Sequence, residues 1–357
     1  MIEETHWHPV ALSESIMGQP VPAMLLDRSL VLWRDGTNAI HAWADQCPHR
    51  GAKFSLGQVV NGQLECAYHG WQFEGSGRCM VVPALPGFVP PASHCARTHQ
   101  ALEKYGLVWV QITSTIGTGS DAGSGVPAFV AEVDAQLRKL NCGPFEVATS
   151  APRIVENFLD MAHFGFVHEG WLGMRNLPEN VVDKATDNAK QSATAIDDYR
   201  VEATPHGLLA TQCRAWQPQS NVHSKTAAQV EYTYEVTGPF SAVLTKVPDP
   251  NSLDPKGLSA DVAAVGYRES IALFICPTGP ESSQVWFRLA VADFESSDDK
   301  LREFQHTIFM QDKPVLESQS PKRLPLDLRA ELHTVADKAS SAYRRHLKNI
   351  EITFGVC

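Results

Sequence analysis

No apolar run in this 357-residue chain approaches the ~20 residues needed to cross a bilayer, so no membrane span is expected. Dense Lys/Arg stripes are missing too, and a formal net charge of −10 argues against a nucleic-acid surface. The first residues, MIEETHWHPV, have neither the basic stretch nor the apolar core of a secretory leader. There is no Gly-rich dinucleotide fingerprint and no flavin site, so the chain is not expected to take electrons from a nicotinamide by itself. Cysteine is too sparsely patterned for a disulfide framework. Of eight cysteines two stand in ligand spacing, while Cys79, Cys95, Cys142, Cys213, Cys276 and Cys357 read as packing residues or loop thiols of a reducing compartment, the cytoplasm. What remains is an ordinary globular composition, 43% hydrophobic with mixed charges.

Within that background Cys47-Pro48-His49 is followed, after sixteen intervening residues, by Cys66-Ala67-Tyr68-His69. C-x-H and C-x-x-H together supply what a Rieske [2Fe-2S] cluster needs. Two thiolates hold one iron and two imidazoles the other, and trading two anionic sulfurs for neutral nitrogens raises the potential to roughly −150 to +300 mV. The same four side chains could bind zinc. The flanking residues decide against it: Gly51 after His49-Arg50, and Gly70-Trp71 after His69, fit two tight loops whose backbone N–H groups approach cluster sulfurs. The extra cysteine that respiratory-type Rieske proteins carry in each loop is absent from HRGAKF and YHGWQF, which points to the ferredoxin or oxygenase type. Arg50, Lys53, Arg78 and Arg97 form a locally basic set near these loops. It reads equally as a solvated surface and as a docking patch for an acidic electron donor.

A Rieske module needs only about 100 residues, so a second domain is expected. Residues 20 to 110 read as short strands, VPAMLL, SLVLWR, AIHAW, QLECAY, WQFEG and LVWVQI, separated by turns at Asp35-Gly36, Asn61-Gly62 and Gly75-Ser76-Gly77. The Ser/Thr/Gly-rich stretch after them reads as a linker. The expected division is a Rieske domain at 1–115, a linker at 116–126 and a larger domain at 127–357. In the latter, a helix is expected from Arg153 to between Gly165 and Gly170. Antiparallel strands are expected in QVEYTYEVTG, SAVLTKV, SIALFICP and QVWFRLAVADF, and helices from Ser297 to about Ser318 and over VADKASSAYRRHLKNI. The fold class is therefore α+β: a small all-β domain, then a central antiparallel sheet flanked by helices.

The first of those helices carries Asn157, Asp160, His163 and His168. Five residues of regular helix would set the two histidines about 140° apart, so the helix must bend or end between them if they share a metal, and Gly165 makes that plausible. As an isolated pair they read better as two half-buried histidines among aromatics. Two His and one carboxylate on one face of an iron leave positions open for oxygen. Asp312 is the candidate carboxylate, because Leu301, Phe304 and Ile308 recur at helical spacing and Asp312 continues their stripe. An unpaired buried carboxylate costs several kcal/mol, and a cation nearby removes that cost. Pairing of Asp312 with an Arg, or ligation by Glu317 or Asp293, are the alternatives.

Taken together, CPHRGAKFSLG, CAYHGWQF, ENFLDMAHFGFVH and QDKPVLESQ resemble the Rieske non-haem iron oxygenases over nearly the whole chain. Size and local text are similar to the caffeine N-demethylases and dicamba O-demethylases of that family. HEGWLGMRN, VPPASHCARTH, SPKRLP and TFGVC look most like its saxitoxin-pathway hydroxylases. The resemblance implies a terminal oxygenase with a Rieske [2Fe-2S] cluster on Cys47, His49, Cys66 and His69 and Fe(II) on His163, His168 and Asp312. It would use O2 and electrons from NAD(P)H, delivered by a separate reductase or ferredoxin, to hydroxylate a C–H bond of a small organic substrate. If the carbon bears N or O, the outcome is a dealkylation. It further implies a head-to-tail homotrimer in which Asp160 bonds His163 and, across the subunit boundary, a neighbour's His69, with Asn157 beside the iron. The rival reading is an electron-transfer Rieske protein whose large domain only binds a ligand.

Overall fold

The computed structural model describes residues 1–113, 125–176, 194–218, 228–248 and 268–357. Contacts divide the chain into two units, Met1–Pro127 with Ile275–Gln284, and Ala128–Phe274 with Val285–Cys357. Most of the expected linker, residues 116–126, lies outside the described residues. Among the described residues no helix is long and apolar enough to cross a membrane.

The first unit is built of short strands: β1 (His8–Leu12), β2 (Val21–Leu25), β3 (Arg28–Arg34), β4 (Ile40–Ala44), β5 (Gln58–Val60), β6 (Gln63–Glu65), β7 (Gln72–Phe73), β8 (Cys79–Val81), β9 (Thr98–Lys104) and β10 (Leu107–Gln111). They form a six-stranded sheet, β1-β10-β9-β4-β3-β2, and a four-stranded one, β5-β6-β7-β8. The smaller sheet turns at Asn61-Gly62, both with positive φ, and the two-residue loop sets Val60 against Gln63. Expected strand QLECAY stops at Glu65, because from Cys66 onward the backbone closes on itself instead of on a neighbouring strand: Cys66 N–H donates to Trp71 O and Gly70 N–H to Cys66 O. Trp33, Trp43, Phe54, Leu64 and Phe73 fill the core beneath, together with Cys47 and Cys66.

The second unit holds β11 (Arg138–Val147), helices α1 (Ala151–Phe158) and α2 (Phe164–Val167), strands β12 (Arg200–Thr204), β13 (Gly207–Gln217), β14 (Ala228–Gly238) and β15 (Ser241–Pro248), and the larger parts of β16 (Glu269–Gly279) and β17 (Ser282–Val291), whose stretch Ile275–Gln284 is counted with the first unit. Helices α3 (Asp298–Ser318) and α4 (Lys338–Asn349) follow among the described residues. The strands make one sheet, β11-β17-β16-β15-β14-β13-β12. Strand β11, unforeseen because Gly143-Pro144 interrupts its text, sits at the sheet edge, where a residue without an N–H is tolerated. Helix α3 begins where expected, with Ser297 Oγ accepting from Lys300 N–H.

The single helix expected from Arg153 onward is two short ones. Leu159 N–H still bonds Val155 O, but Asp160 Oδ1 then accepts from Ala162 N–H at 2.8 Å and turns the chain out of the helix. The break precedes His163 rather than falling between the histidines. Gly165 serves a different end from the expected bend: a Cβ there would lie 2.7 Å from Thr194 Cγ2 and 3.0 Å from Met174 O, so the residue permits close approach.

Helix α1 is tied to the C-terminal part by buried charges. Arg153 bonds Glu331 and the Pro321 carbonyl, and Arg344 bonds both Glu156 and Glu331. Burial works against ionised Glu331, yet the hydrogen bonds from Arg153 and Arg344 outweigh it and hold the carboxyl at about 2. A carboxyl lowered on folding contributes stability that is present above the unfolded value and lost as pH falls through the folded one. Between pH ~4.5 and ~2, Glu331→Gln is therefore expected to lose less stability than the wild type. Thermal midpoints of both proteins across that window check this, and identical slopes would remove Glu331 from the account.

Candidate metal centres and cavity

Two loops of the first unit share one hydrogen-bond frame. Cys47 N–H donates to Ala52 O and Gly51 N–H to Cys47 O; Cys66 N–H donates to Trp71 O and Gly70 N–H to Cys66 O, all at 2.8–2.9 Å. Gly51 and Gly70 sit at φ of 74° and 69°, the left-handed region that closes such a turn most easily with glycine. The loops bring four side chains together with the thiols inward and the rings outward. Cys47 and Cys66 are each 2% exposed, whereas His49 is half-buried and His69 exposed. The two imidazole centroids lie 4.6 Å apart, and His49 stacks on Trp71 at 4.3 Å, which in turn stacks on His94.

These groups fit an iron–sulfur cluster. Burial pushes the Cys47 thiol up, the neighbouring Cys66 adds to this, and the His49 and Arg50 N–H groups directed at its sulfur oppose it. Such donors stabilise a thiolate, and a metal supplies the positive charge the pair lacks. His49 Nδ1 is buried without a hydrogen-bond partner in the protein, as a ligating nitrogen would be. The other cysteines are free as well. Arg50, Lys53, Arg78 and Arg97 are exposed, as are Tyr68, Leu85, Phe88 and Val89.

In the second unit, ligand atoms of His163, His168 and Asp312 all lie within 4.8 Å of one another. Asp312 Oδ1 is 3.5 Å from His163 Nε2 and 3.2 Å from His168 Nε2. Each ring is oriented from behind. His163 Nδ1–H donates to Asp160 Oδ2 at 3.1 Å and His168 Nδ1–H to Gln311 Oε1 at 2.8 Å, which leaves both Nε2 lone pairs free for a cation. Asn157 Nδ2 lies 3.4 Å from Asp312 Oδ1. Burial works to raise the Asp160 carboxyl, but the His163 ring and the N–H groups of Ala162 and His163 prevail and hold it below the usual range. Two neutral imidazoles and one carboxylate suit a non-haem Fe(II) with open positions.

The alternative carboxylates are engaged elsewhere. Glu317 accepts from Ala148 N–H and pairs with Lys313, and Asp293 accepts from Glu295 and Ser296 N–H. Gln311 was not foreseen. Its partnership with His168 depends on how α3 is rotated against α2, and no local pattern announces it.

The triad forms part of the wall of a cavity lined also by Phe158, Phe164, Phe287, Phe304 and Phe309, by aliphatic side chains and by the polar Asn157 and Gln305. Strands β14, β15 and β16 floor it in register: Tyr234, Leu244 and Ile271 make one row, and Tyr232, Lys246 and Glu269 the next. The Lys246–Glu269 pair, 3.6 Å apart and 7% and 12% exposed, is charge placed within an apolar pocket, and the alternation of β15 alone did not single it out.

Comparison with known proteins places these sites in context. Residues 6–102 match the Rieske [2Fe-2S] domain, and residues 147–351 match the vanillate O-demethylase oxygenase C-terminal domain. A methylxanthine N1-demethylase of Pseudomonas putida is 29% identical over 97% of this chain and 88% of its own, and its solved structure superposes with a TM-score of 0.72 at 26% identity. A probable methylxanthine N7-demethylase of Pseudomonas sp. (strain TJI-51) is 36% identical over 70% of this chain and 77% of its own. The crystal structure of dicamba monooxygenase bound to 3,6-dichlorosalicylic acid shares the fold, with a TM-score of 0.76 at 22% identity over 98% of both chains.

Proposed function

From the premise that this chain belongs to the Rieske oxygenase components of the vanillate O-demethylase type, we propose that Cys47, His49, Cys66 and His69 hold its [2Fe-2S] cluster and that His163, His168 and Asp312 hold its mononuclear iron. The protein is an oxidoreductase, the terminal oxygenase of a Rieske monooxygenase system that hydroxylates a C–H bond of a small organic substrate. What carries the assignment of the iron site is the convergence of two oriented histidines and a buried aspartate on the wall of an apolar cavity.

When bound, the cluster supplies single electrons, and the mononuclear iron supplies a place where O2 is activated beside a C–H bond. The protein's own groups prepare that place. Asp160 and Gln311 fix the His163 and His168 tautomers, and Asn157 keeps the Asp312 carboxylate turned toward both rings. Phe158, Phe164, Phe287 and Phe309 exclude water and leave space for a flat organic molecule beside the ligands. The relatives named above are demethylases, so an N- or O-methyl carbon is the first target to test. Hydroxylation there gives an unstable product that releases formaldehyde.

Electrons would originate from NAD(P)H and arrive through a separate reductase or ferredoxin. The exposed set Arg50, Lys53, Arg78 and Arg97, with Tyr68 nearby in sequence, supports docking of an acidic donor. A cyclic homotrimer in the cytoplasm completes the proposal. The exposure of His69 and of 30% of the Asp160 side chain supports a meeting of these two residues from neighbouring subunits.

The test combines iron analysis with coupled turnover. About three irons per chain, and O2-dependent NADH oxidation with formaldehyde release from N-methyl or O-methyl aromatics in the presence of a reductase, are expected. About two irons per chain and no oxygen use would instead describe an electron carrier with a binding domain.

A further inference from the structure

The charged row at the floor of the cavity calls for a role. Tyr232, Lys246 and Glu269 stand side by side on three adjacent strands, and the next row, Tyr234, Leu244 and Ile271, is apolar apart from one phenol. Replacing a buried ion pair by packed apolar side chains is often neutral or stabilising, so the pair gives this pocket no stability that Leu and Met would not. The Lys246 ammonium lies 3.6 Å from a Glu269 oxygen and carries three donors, so it can also donate to an acceptor on a bound molecule. We infer that Lys246 and Glu269 are specificity-determining residues that read a neutral edge on the substrate in which an acceptor lies beside a donor, as in the C=O and N–H of a ring amide.

Charge decides between ligand classes. An anion would gain Lys246 but meet Glu269 as a like charge, and a cation would meet the reverse. An uncharged acceptor–donor edge satisfies both at once without leaving either charge uncompensated in a medium where that is expensive. Gln217 Nε2 bonds the Tyr232 hydroxyl from outside the cavity, which fixes the neighbour that flanks Lys246. The phenylalanines around the pocket suit a flat ring carrying that edge. The inference rests on the oxygenase reading, in which this cavity is the substrate site.

Four monocyclic methoxy probes of similar size separate the possibilities: 4-methoxy-2-pyridone, its N-methyl derivative, 4-methoxybenzoate and 4-methoxybenzamidine. In anaerobic calorimetry with the iron-loaded enzyme, the pyridone is expected to bind ~10- to 100-fold more tightly than each of the other three. In the double variant Lys246→Met/Glu269→Leu the two pyridones should bind equally, with iron content and thermal midpoint kept. In Glu269→Gln, with Lys246 unopposed, 4-methoxybenzoate should move to the head of the ranking. Equal binding of both pyridones by the wild type, no binding of the lactam, tighter binding of either charged probe, or a preference that survives the double substitution overturns the inference. Failure of the oxygenase reading shows separately, as a missing third iron and no oxygen-coupled NADH oxidation whatever the calorimetry gives.

Discussion

Asp312→Ala is expected to abolish turnover and to lower bound iron from about three to about two per chain, with the Rieske absorbance unchanged. The carboxylate is buried on α3, with His168 Nε2 at 3.2 Å and His163 Nε2 at 3.5 Å from the same oxygen. Two neutral imidazoles alone make a poor Fe(II) site, because the aspartate supplies the anionic charge that a hard cation needs. Stability should move the other way. In the metal-free protein Asp312 is a buried carboxyl group with two His Nε2 atoms facing it and no metal between them, so the iron-free variant should melt no lower than the iron-free wild type. Iron analysis, the visible spectrum and thermal melts with and without iron check the three parts. Wild-type iron and activity would move the ligand role to Glu317 or elsewhere.

Asp160→Asn is expected to weaken iron binding by roughly 10- to 100-fold although it removes no ligand. Both carboxylate oxygens are in use, Oδ1 by Ala162 N–H and Oδ2 by His163 Nδ1–H. An asparagine offers one oxygen to these two donors. If the oxygen keeps Ala162, the amide NH2 faces His163 and favours the ring tautomer with its proton on Nε2, where the iron should bind. If it keeps His163, the turn that ends α1 loses its bond. Competition with a calibrated chelator measures the affinity, and added Fe(II) should restore part of the activity while the cluster spectrum stays that of the wild type. Unchanged affinity would reduce Asp160 to a turn-forming carboxylate with no hold on the metal.

The strands were readable because β-branched and aromatic runs bounded by Gly, Pro and Asp survive into the folded state, as VPAMLL, SLVLWR and QVEYTYEVTG do in β2, β3 and β14. Misreadings occurred where a side chain or a neighbour overrode local preference. Helix-forming text around Asp160 gave way to its bond with Ala162 N–H, and QLECAY gave way to the loop that closes on Trp71. Strand β11 was hidden by Gly143-Pro144, and only its edge position makes those residues acceptable.

The amino-acid sequence by itself determined the chemistry whose geometry is local. Cys47 with His49, Cys66 with His69, and Asp160 with His163 are each set within a few residues, and backbone bonds inside the same loop or turn hold them there. Only the tertiary structure decided what depends on the rotation of one element against another or on register between strands. It brought Asp312 rather than Glu317 or Asp293 to the histidines, it set Gln311 behind His168, and it laid Lys246 beside Glu269 in the cavity. Those relations follow from how packed faces interdigitate and which residues pair across a sheet. A linear spacing records neither, because the partners meet only after the chain has folded.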